Sequence, residues 1–325
     1  MSELQPAIDF IRRTRRFLIT AHETPDGDAL GSECAMVRAL RALGKEALIL
    51  NADPTPRKFA YLDPDGLVGV LESAADVPPD IGDFSLLMLD TNDTRNIGQV
   101  ATLVLPRVRE SFIIDHHEND SSLAGNCILV NASSTSEILY PLLRALEVTI
   151  DLDIATALYT GIIYDTGCFV YPKTTAHTFQ IARDLVAVGV DPNDIYTRVY
   201  ESNSISALVL ESRVLSTLEL ACGNRVAILT MDRKMIIDSG ANYEEADQLI
   251  NIPLRSEDIR VAVFFKENME GLLRCSLRSK GTINVAEVAQ AFGGGGHRTA
   301  AGFKCREGRD AARALVLQRL GAQLA

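Results

Sequence analysis

Four short segments of the chain gather carboxylates and imidazoles: HETPDGD with His22, Asp26 and Asp28, LDTND with Asp90, IDHH with Asp115, His116 and His117, and YDTG with Asp165. A fifth segment, GGGGH, ends in His297, so four of the five histidines fall in these motifs. Carboxylates brought to one place repel one another unless something positive sits among them, and a pair of divalent cations meets that need. Aspartate oxygens and histidine nitrogens without a thiolate suit Mn²⁺ or Mg²⁺ better than structural zinc. The donors are too many for one ion and about right for two. Two ions about 3.5–4 Å apart can activate a shared water and clamp phosphoryl oxygens, which is the chemistry of phosphoester hydrolysis. The sequence has no G-x-x-x-x-G-K-[ST] loop to anchor an ATPase reading.

Each motif alone has a blander meaning. An aspartate after a strand often caps a helix or makes a turn. The order and placement of the motifs carry the argument. Apolar runs read as buried strands at Phe17–Ala21, Ala47–Leu50, Ser85–Asp90 and Ser111–Asp115. Three of them run directly into His22, Asp90 and Asp115, and Asp165 closes the apolar helical run ALYTGIIY. Helices are expected over Glu3–Arg15, from CAMVRALRAL to Gly44, and over much of Thr135–Leu146, Asp153–Tyr164 and Thr175–Val188. Apolar strands alternating with helices predict an α/β fold with a parallel sheet covered on both faces. Ligands bind such sheets beyond the carboxyl ends of the strands. His177 reads as a surface histidine or one that supports a ligand from behind, and the cluster RRTRR (Arg12–Arg16) as a solvated helix face.

The pattern changes after residue 190, so the chain is expected to hold a first domain over 1–190, a helical linker over 191–220 and a smaller α/β domain over 221–325. In the latter, strands are expected at Arg225–Met231, Arg260–Lys266 and Leu272–Arg278, then a helix over Asn284–Phe292, the GGGGH loop and a final helix from Gly308 to the end. Gly293, Gly294, Gly295 and Gly296 let backbone N–H groups approach an anion with no Cβ in the way. His297, with Arg274, Arg278 and Lys280, can add charge-assisted bonds to phosphate.

Charge supports that division of labour. The chain carries −11 overall, yet from Arg255 onward 12 basic residues meet 7 acidic ones, leaving −16 for the part before. An acidic surface gains little from a long duplex nucleic acid. No run of 18 apolar residues predicts a membrane span, and the N-terminus lacks the apolar core of a secretory signal. The six cysteines are scattered singly, with no C-x-x-C pair, which fits a reducing cytoplasm and not a zinc ribbon.

Taken together, HETPDGDALGS, LDTND, DHH, YDTG, LRCSLRSKG and GGGGHRTAAG resemble the DHH phosphoesterases with a DHH-associated C-terminal domain, specifically the group of oligoribonucleases (nano-RNases) that also act as pAp phosphatases. The resemblance covers nearly the whole chain. It implies a dinuclear manganese centre, with Mg²⁺ or Co²⁺ as alternatives. His22, Asp26 and Asp90 would hold one ion, and Asp28, Asp90, His116 and Asp165 the other, with Asp90 shared. Asp115 would orient a ligating histidine, and His117 would face the phosphate as donor or general acid. The C-terminal domain would bind substrate through Arg274, Arg278, Lys280, the four glycines and His297. Implied substrates are short oligoribonucleotides, linear dinucleotides and pAp, and a homodimer is compatible. Rival readings are a cyclic-dinucleotide phosphodiesterase, a manganese inorganic pyrophosphatase and a non-enzymatic nucleotide sensor. The pyrophosphatase normally has Thr between its paired Asp residues where this chain has Gly27, and a C-terminal signature unlike GGGGH.

Overall fold

The structure, a computed structural model, describes residues 3–117 and 126–324. The chain divides into two compact units, Met1–Ser202 and Asn203–Ala325. The first unit is built on six strands: β1 (Arg16–Thr20), β2 (Glu46–Asn51), β3 (Val68–Val70), β4 (Ser85–Leu89), β5 (Ser111–Asp115) and β6 (Cys127–Leu129). All pairings are parallel, in the order β3-β2-β1-β4-β5-β6. The helices of this unit are α1 (Gln5–Arg13), α2 (Gly27–Ala42), α3 (Val100–Leu103), α4 (Thr135–Ala145), α5 (Leu152–Asp165), α6 (Ala176–Val188) and α7 (Pro192–Tyr200).

The central strands are apolar through their middles, at Phe17–Ile19, Leu86–Leu89 and Phe112–Ile114, because both faces are covered. Phe17, Ile19, Leu87, Leu89 and Ile114 join the core under α1, α2, α4 and α5. Leu18, Leu86, Met88 and Ile113 point the other way, toward Phe84, Ile97 and Val100. The strand order reverses between β1 and β4, so their carboxyl ends flank the switch-point crevice where doubly wound sheets bind ligands. Helices α2 and α5 pack backbone to backbone there: a Cβ on Gly31 would lie 2.5 Å from the carbonyl oxygen of Ala157.

The second unit opens with α8 (Ile205–Leu215), followed by β7 (Glu219–Ala221), β8 (Val226–Met231), α9 (Arg233–Ser239), β9 (Val261–Glu267), β10 (Leu273–Ser279), α10 (Val285–Gln290), β11 (Gly295–His297), β12 (Ala300–Lys304) and α11 (Arg309–Leu324). Its sheet has the order β11-β12-β10-β9-β8-β7 and is mixed, with β8 and β9 parallel and its other pairs antiparallel. One face packs on α10 and α11, the other on α8 and α9.

Within residues 191–220, Ile195 and Val199 of α7 belong to the first core, and Leu210 and Val214 of α8 to the second. Two readings from the sequence change. RRTRR is a helix face only in its first half: Arg12 and Arg13 are exposed on the last turn of α1, but the backbone turns extended at Thr14 and Arg16 already lies in β1. Two of its four arginines are in ion pairs: Arg13 with Glu110 at 2.6 Å, and Arg16 with Glu46 at 2.8 Å and Asp80 at 2.7 Å. GGGGH is not a free loop, since Gly295–His297 pairs with Ala300–Gly302 as an edge strand. Among the described residues no helix is long and apolar enough to cross a membrane.

Candidate metal centre

The switch point gathers the residues that the motifs singled out. His22 follows β1 closely, Asp90 follows β4, Asp115 ends β5, and Asp165 is the last residue of α5. Asp26 caps α2, its Oδ1 accepting from the N–H groups of Asp28 at 2.9 Å and Ala29 at 3.1 Å, so Asp28 sits in the first turn of that helix. Side-chain donors of three groups converge: His22 with Asp26 and Asp90; Asp28 with His116 and Asp165; and Asp90 with Asp115, His116 and His117. Asp28 and Asp115 are fully buried, while His117, Asp26, Asp165 and His22 retain solvent access. The cluster therefore has a closed floor and an open mouth.

Asp90 stands at the middle. One of its oxygens lies 3.6 Å from His22 Nε2 and the other 3.4 Å from His116 Nε2. Its backbone is left-handed, with φ of 58°, a conformation that non-glycine residues rarely adopt and that costs roughly 1–3 kcal/mol. Such strain persists where the surrounding structure over-determines it, as it does between β4 and its partner strands.

Both candidate ligand imidazoles have their tautomer set by a carbonyl. His22 Nδ1 donates to the carbonyl of Glu23 at 2.7 Å, and His116 Nδ1 faces that of Ala132 at 3.4 Å. In each ring Nε2 is left to face carboxylates. His116 Nε2 is buried and has no hydrogen-bond partner, although Asp165 lies at 3.1 Å and Asp28 at 4.0 Å. A buried imidazole nitrogen aimed at three carboxylates, but bonded to none, is the donor set a divalent cation completes.

The electrostatics agree. Burial works against charge on His22, yet the neighbouring carboxylates of Asp90 and Asp26 raise its pKa to about 10. His116 is raised in the same way by Asp165 and Asp90 against burial. Asp26 is pushed up to about 6, and Asp28 well above the usual carboxylate range, by burial and by the neighbouring aspartates. Asp90, although buried, is held low by His116 and His22. The cluster carries surplus negative charge that cations would neutralise.

Asp115 is the hub of the DHH turn. Its Oδ1 accepts from the backbone N–H of His116 at 2.8 Å and from His117 Nδ1 at 2.7 Å, and its Oδ2 accepts from Asn92 at 2.7 Å. The imidazole it orients is thus that of His117, while His116 is reached only through its main chain. His177 sits exposed at the start of α6, away from these groups.

The motifs did not single out the start of α4. Thr135 and Ser136 donate their backbone N–H groups to the two oxygens of Asp28, at 2.6 Å and 3.0 Å. The Thr135 hydroxyl donates to Asp90 at 3.1 Å. Gly161 of α5 leaves room for this junction, since a Cβ there would meet Ser136 and lie 2.5 Å from Asp28 Oδ1. Ser134 caps α4 by accepting from the Glu137 N–H at 3.0 Å, and S-x-x-E was the available signal. Gly27 packs against Tyr164, whose Cβ would lie 2.7 Å from a side chain at that position.

In the second unit Arg274 and Arg278 share the outer face of β10, opposite buried Cys275 and Leu277, and Lys280 donates to the carbonyl of Ser256 at 2.8 Å. In backbone register Arg278 pairs with Ala300, which pairs with His297. Gly294 and Gly296 are required by packing: a Cβ on the first would meet the carbonyl of Gly302, and on the second would lie 2.5 Å from that of Ala300. Gly293 and Gly295 face open space.

A doubly wound sheet with this acid-rich switch point places the protein among the divalent-metal-dependent hydrolases of phosphoesters. Residues 16–162 match the DHH family, N-terminal domain, and residues 223–322 match the DHHA1 domain. The chain belongs to the DHH family. The bifunctional oligoribonuclease and PAP phosphatase NrnA of Thermus thermophilus is 32% identical over 294 residues, 87% of this chain and 82% of that protein. The protein of the same name from Bacillus subtilis is 28% identical over 290 residues, 88% of each. Among solved structures, an exopolyphosphatase-related protein from Bacteroides fragilis has a TM-score of 0.89 at 24% identity, over 99% of this chain and 97% of that one. RecJ of Thermus thermophilus in complex with Mn²⁺ shares the fold at a TM-score of 0.56 and 15% identity, over 99% of this chain and 55% of RecJ.

Proposed function

We propose that the protein hydrolyses short oligoribonucleotides or linear dinucleotides to mononucleotides, and pAp to AMP and phosphate, in the cytoplasm and with two Mn²⁺ ions. The reading is carried by Asp90, whose two oxygens face His22 and His116 at 3.6 Å and 3.4 Å. It is supported by relatives named oligoribonuclease and PAP phosphatase at 32% and 28% identity. His22, Asp26 and Asp90 would hold one ion, and Asp28, Asp90, His116 and Asp165 the other. When bound, the ions supply the Lewis acidity that lowers the pKa of water and offsets charge on the phosphoryl oxygens.

The protein's own groups do the rest. Thr135 and Ser136 fix the Asp28 carboxylate, and Thr135 fixes Asp90, so the ligands are ordered before substrate arrives. Asp115 holds His117 Nδ1 and stabilises its protonated form, and the ring keeps solvent access. His117 then donates a proton to the leaving oxygen. Arg274, Arg278, Lys280, His297 and the Gly293–Gly296 backbone bind the nucleotide part. The test is to incubate purified protein and Mn²⁺ with pAp, a linear dinucleotide, a cyclic dinucleotide, a five-mer RNA and pyrophosphate. Turnover of pAp and the short linear RNAs above the other two is expected. Preference for pyrophosphate or the cyclic dinucleotide refutes the reading, as does full turnover in excess chelator.

A further inference from the structure

After Asp165 the chain makes a turn that L-residues avoid. Gly167, Cys168 and Phe169 are consecutive left-handed residues, with φ of 54°, 61° and 68°. Local bonds hold the turn. Thr166 Oγ1 accepts from the Phe169 N–H at 3.0 Å, and the Thr166 carbonyl accepts from Val170 and Tyr171, both at 2.9 Å. The Phe169 ring stacks on Phe179 at 5.2 Å. The turn returns a chain that left the cluster at Asp165 to the cluster at Lys173. There the Lys173 ammonium donates to the main-chain carbonyl of His116 at 3.2 Å.

That position is unusual in its charge. The three converging groups contain five aspartates, Asp26, Asp28, Asp90, Asp115 and Asp165. Two divalent cations bring +4 and the imidazolium of His117 adds +1, so the site only balances its aspartates and keeps no positive charge in surplus to draw an arriving phosphoester anion. Lys173 is half-buried beside His116. It makes an ion pair with no carboxylate among the described residues. Its bond to His116 is its one hydrogen bond among the described residues and leaves two N–H donors, and a lysine ammonium serves as a point-charge partner of phosphate.

We propose that Lys173 is a substrate-binding residue of the first unit, its ammonium taking a non-bridging oxygen of the phosphate held at the cluster. The proposal rests on the phosphoester-hydrolase reading. Lys173 supplies the positive charge that the aspartates and their ions lack, and the strained turn at Gly167–Phe169 serves to bring it there. The carbonyl of His116 fixes the ammonium next to the residue that precedes His117, so the same loop that presents the proton donor also positions the cation.

The experiment uses the full chain loaded with Mn²⁺ and three proteins: wild type, Lys173→Met and Lys173→Arg. Bound manganese is measured by elemental analysis, the dissociation constant of inorganic phosphate by calorimetry, and KM and kcat with pAp. Loss of one charge-assisted contact should weaken phosphate binding and raise KM by about 10- to 100-fold in Lys173→Met. Manganese content should stay unchanged, and Lys173→Arg should recover most of the binding. Equal phosphate affinity in wild type and Lys173→Met overturns the proposal. So does loss of manganese in step with phosphate binding, which would make Lys173 a strut for His116. Phosphate calorimetry needs no turnover, so failure of the wild type to hydrolyse any substrate sinks the functional reading while this assignment is still decided.

Discussion

Thr135 and Asp90, 45 positions apart in the chain, are joined by a 3.1 Å hydrogen bond from hydroxyl to carboxylate. The same threonine donates its N–H to Asp28 at 2.6 Å. One residue at the start of α4 therefore fixes a proposed ligand of each ion. Partners of this kind, which orient ligands without touching the metal, typically contribute about 10- to 100-fold in metal affinity. Thr135→Val should weaken Mn²⁺ binding by that factor while keeping the backbone bond to Asp28, and Thr135→Ser should restore it. Calorimetric titration of Mn²⁺ into the three proteins checks this. Equal affinities would limit Thr135 to a packing role.

Asp90 and His117 should fail in different ways. Asp90 lies between His22 and His116, so Asp90→Asn should lose both metal and turnover. His117 is held by Asp115 at 2.7 Å and opens to solvent, so His117→Ala should keep its metals and lose rate. General acid groups typically contribute about 10²–10⁴-fold. Elemental analysis beside single-turnover rates separates the two. Two ions per chain retained in Asp90→Asn contradicts the shared-ligand assignment.

A buried carboxyl outside the ligand set gives a pH prediction. Glu33 of α2 is fully buried, accepts from Asn51 Nδ2 at 2.8 Å, and has one oxygen with no hydrogen-bond partner. Burial pushes its pKa up to about 8, against the opposing bond from Asn51. The sign follows from linkage. Below about 4.3 both the folded and unfolded chains carry this proton. Between there and about 8 the unfolded chain releases it while the folded chain keeps it, so stability falls as pH rises through that window. Glu33→Gln removes the dependence. In excess chelator, the Tm of Glu33→Gln should therefore gain on wild type steadily from pH 5 to pH 8. The loss recovered is on the order of a few kcal/mol. A constant difference across that range would mean that Glu33 is ionised in the folded protein.

The limits of what the sequence reveals follow from range and periodicity. The strand-end acids were legible because short apolar runs such as SLLML and SFII, buried on both faces, stop abruptly at Asp90 and Asp115. The brief edge strands at Val68–Val70 and Cys127–Leu129 were not, because three residues carry no period. Ser134, Thr135 and Ser136 look like any helix cap. Their role depends on meeting Asp28, 107 and 108 positions away for Thr135 and Ser136. Gly161 reads as a weak point in a helix until Asp28 and Ser136 are seen where its side chain would lie. GGGGH read as an anion-binding loop and not as a strand, because the contacts that demand Gly294 and Gly296 come from β12, a strand too small and mixed in composition to be anticipated.

Substrate length should be limited by charge. The chain carries −11, and residues 1–202 hold 16 basic against 29 acidic residues, a balance of −13, so a long polyanion is repelled by the first unit. Positive charge is concentrated instead along β10, where Arg274 and Arg278 share the solvent side and Lys280 follows. A site of that size can hold one end of a short substrate, and each further nucleotide adds charge without adding contacts. kcat/KM should therefore peak at two to five nucleotides and fall for a 24-mer. Arg278→Ala should raise KM for a dinucleotide by about 10- to 100-fold, the range of a lost charge-assisted contact, and leave bound manganese unchanged. Raising salt should weaken binding of the dinucleotide less in Arg278→Ala than in wild type, because one fewer phosphate contact is screened. A 24-mer cut as efficiently as a trimer, or an unchanged salt slope in Arg278→Ala, would remove β10 from the substrate site.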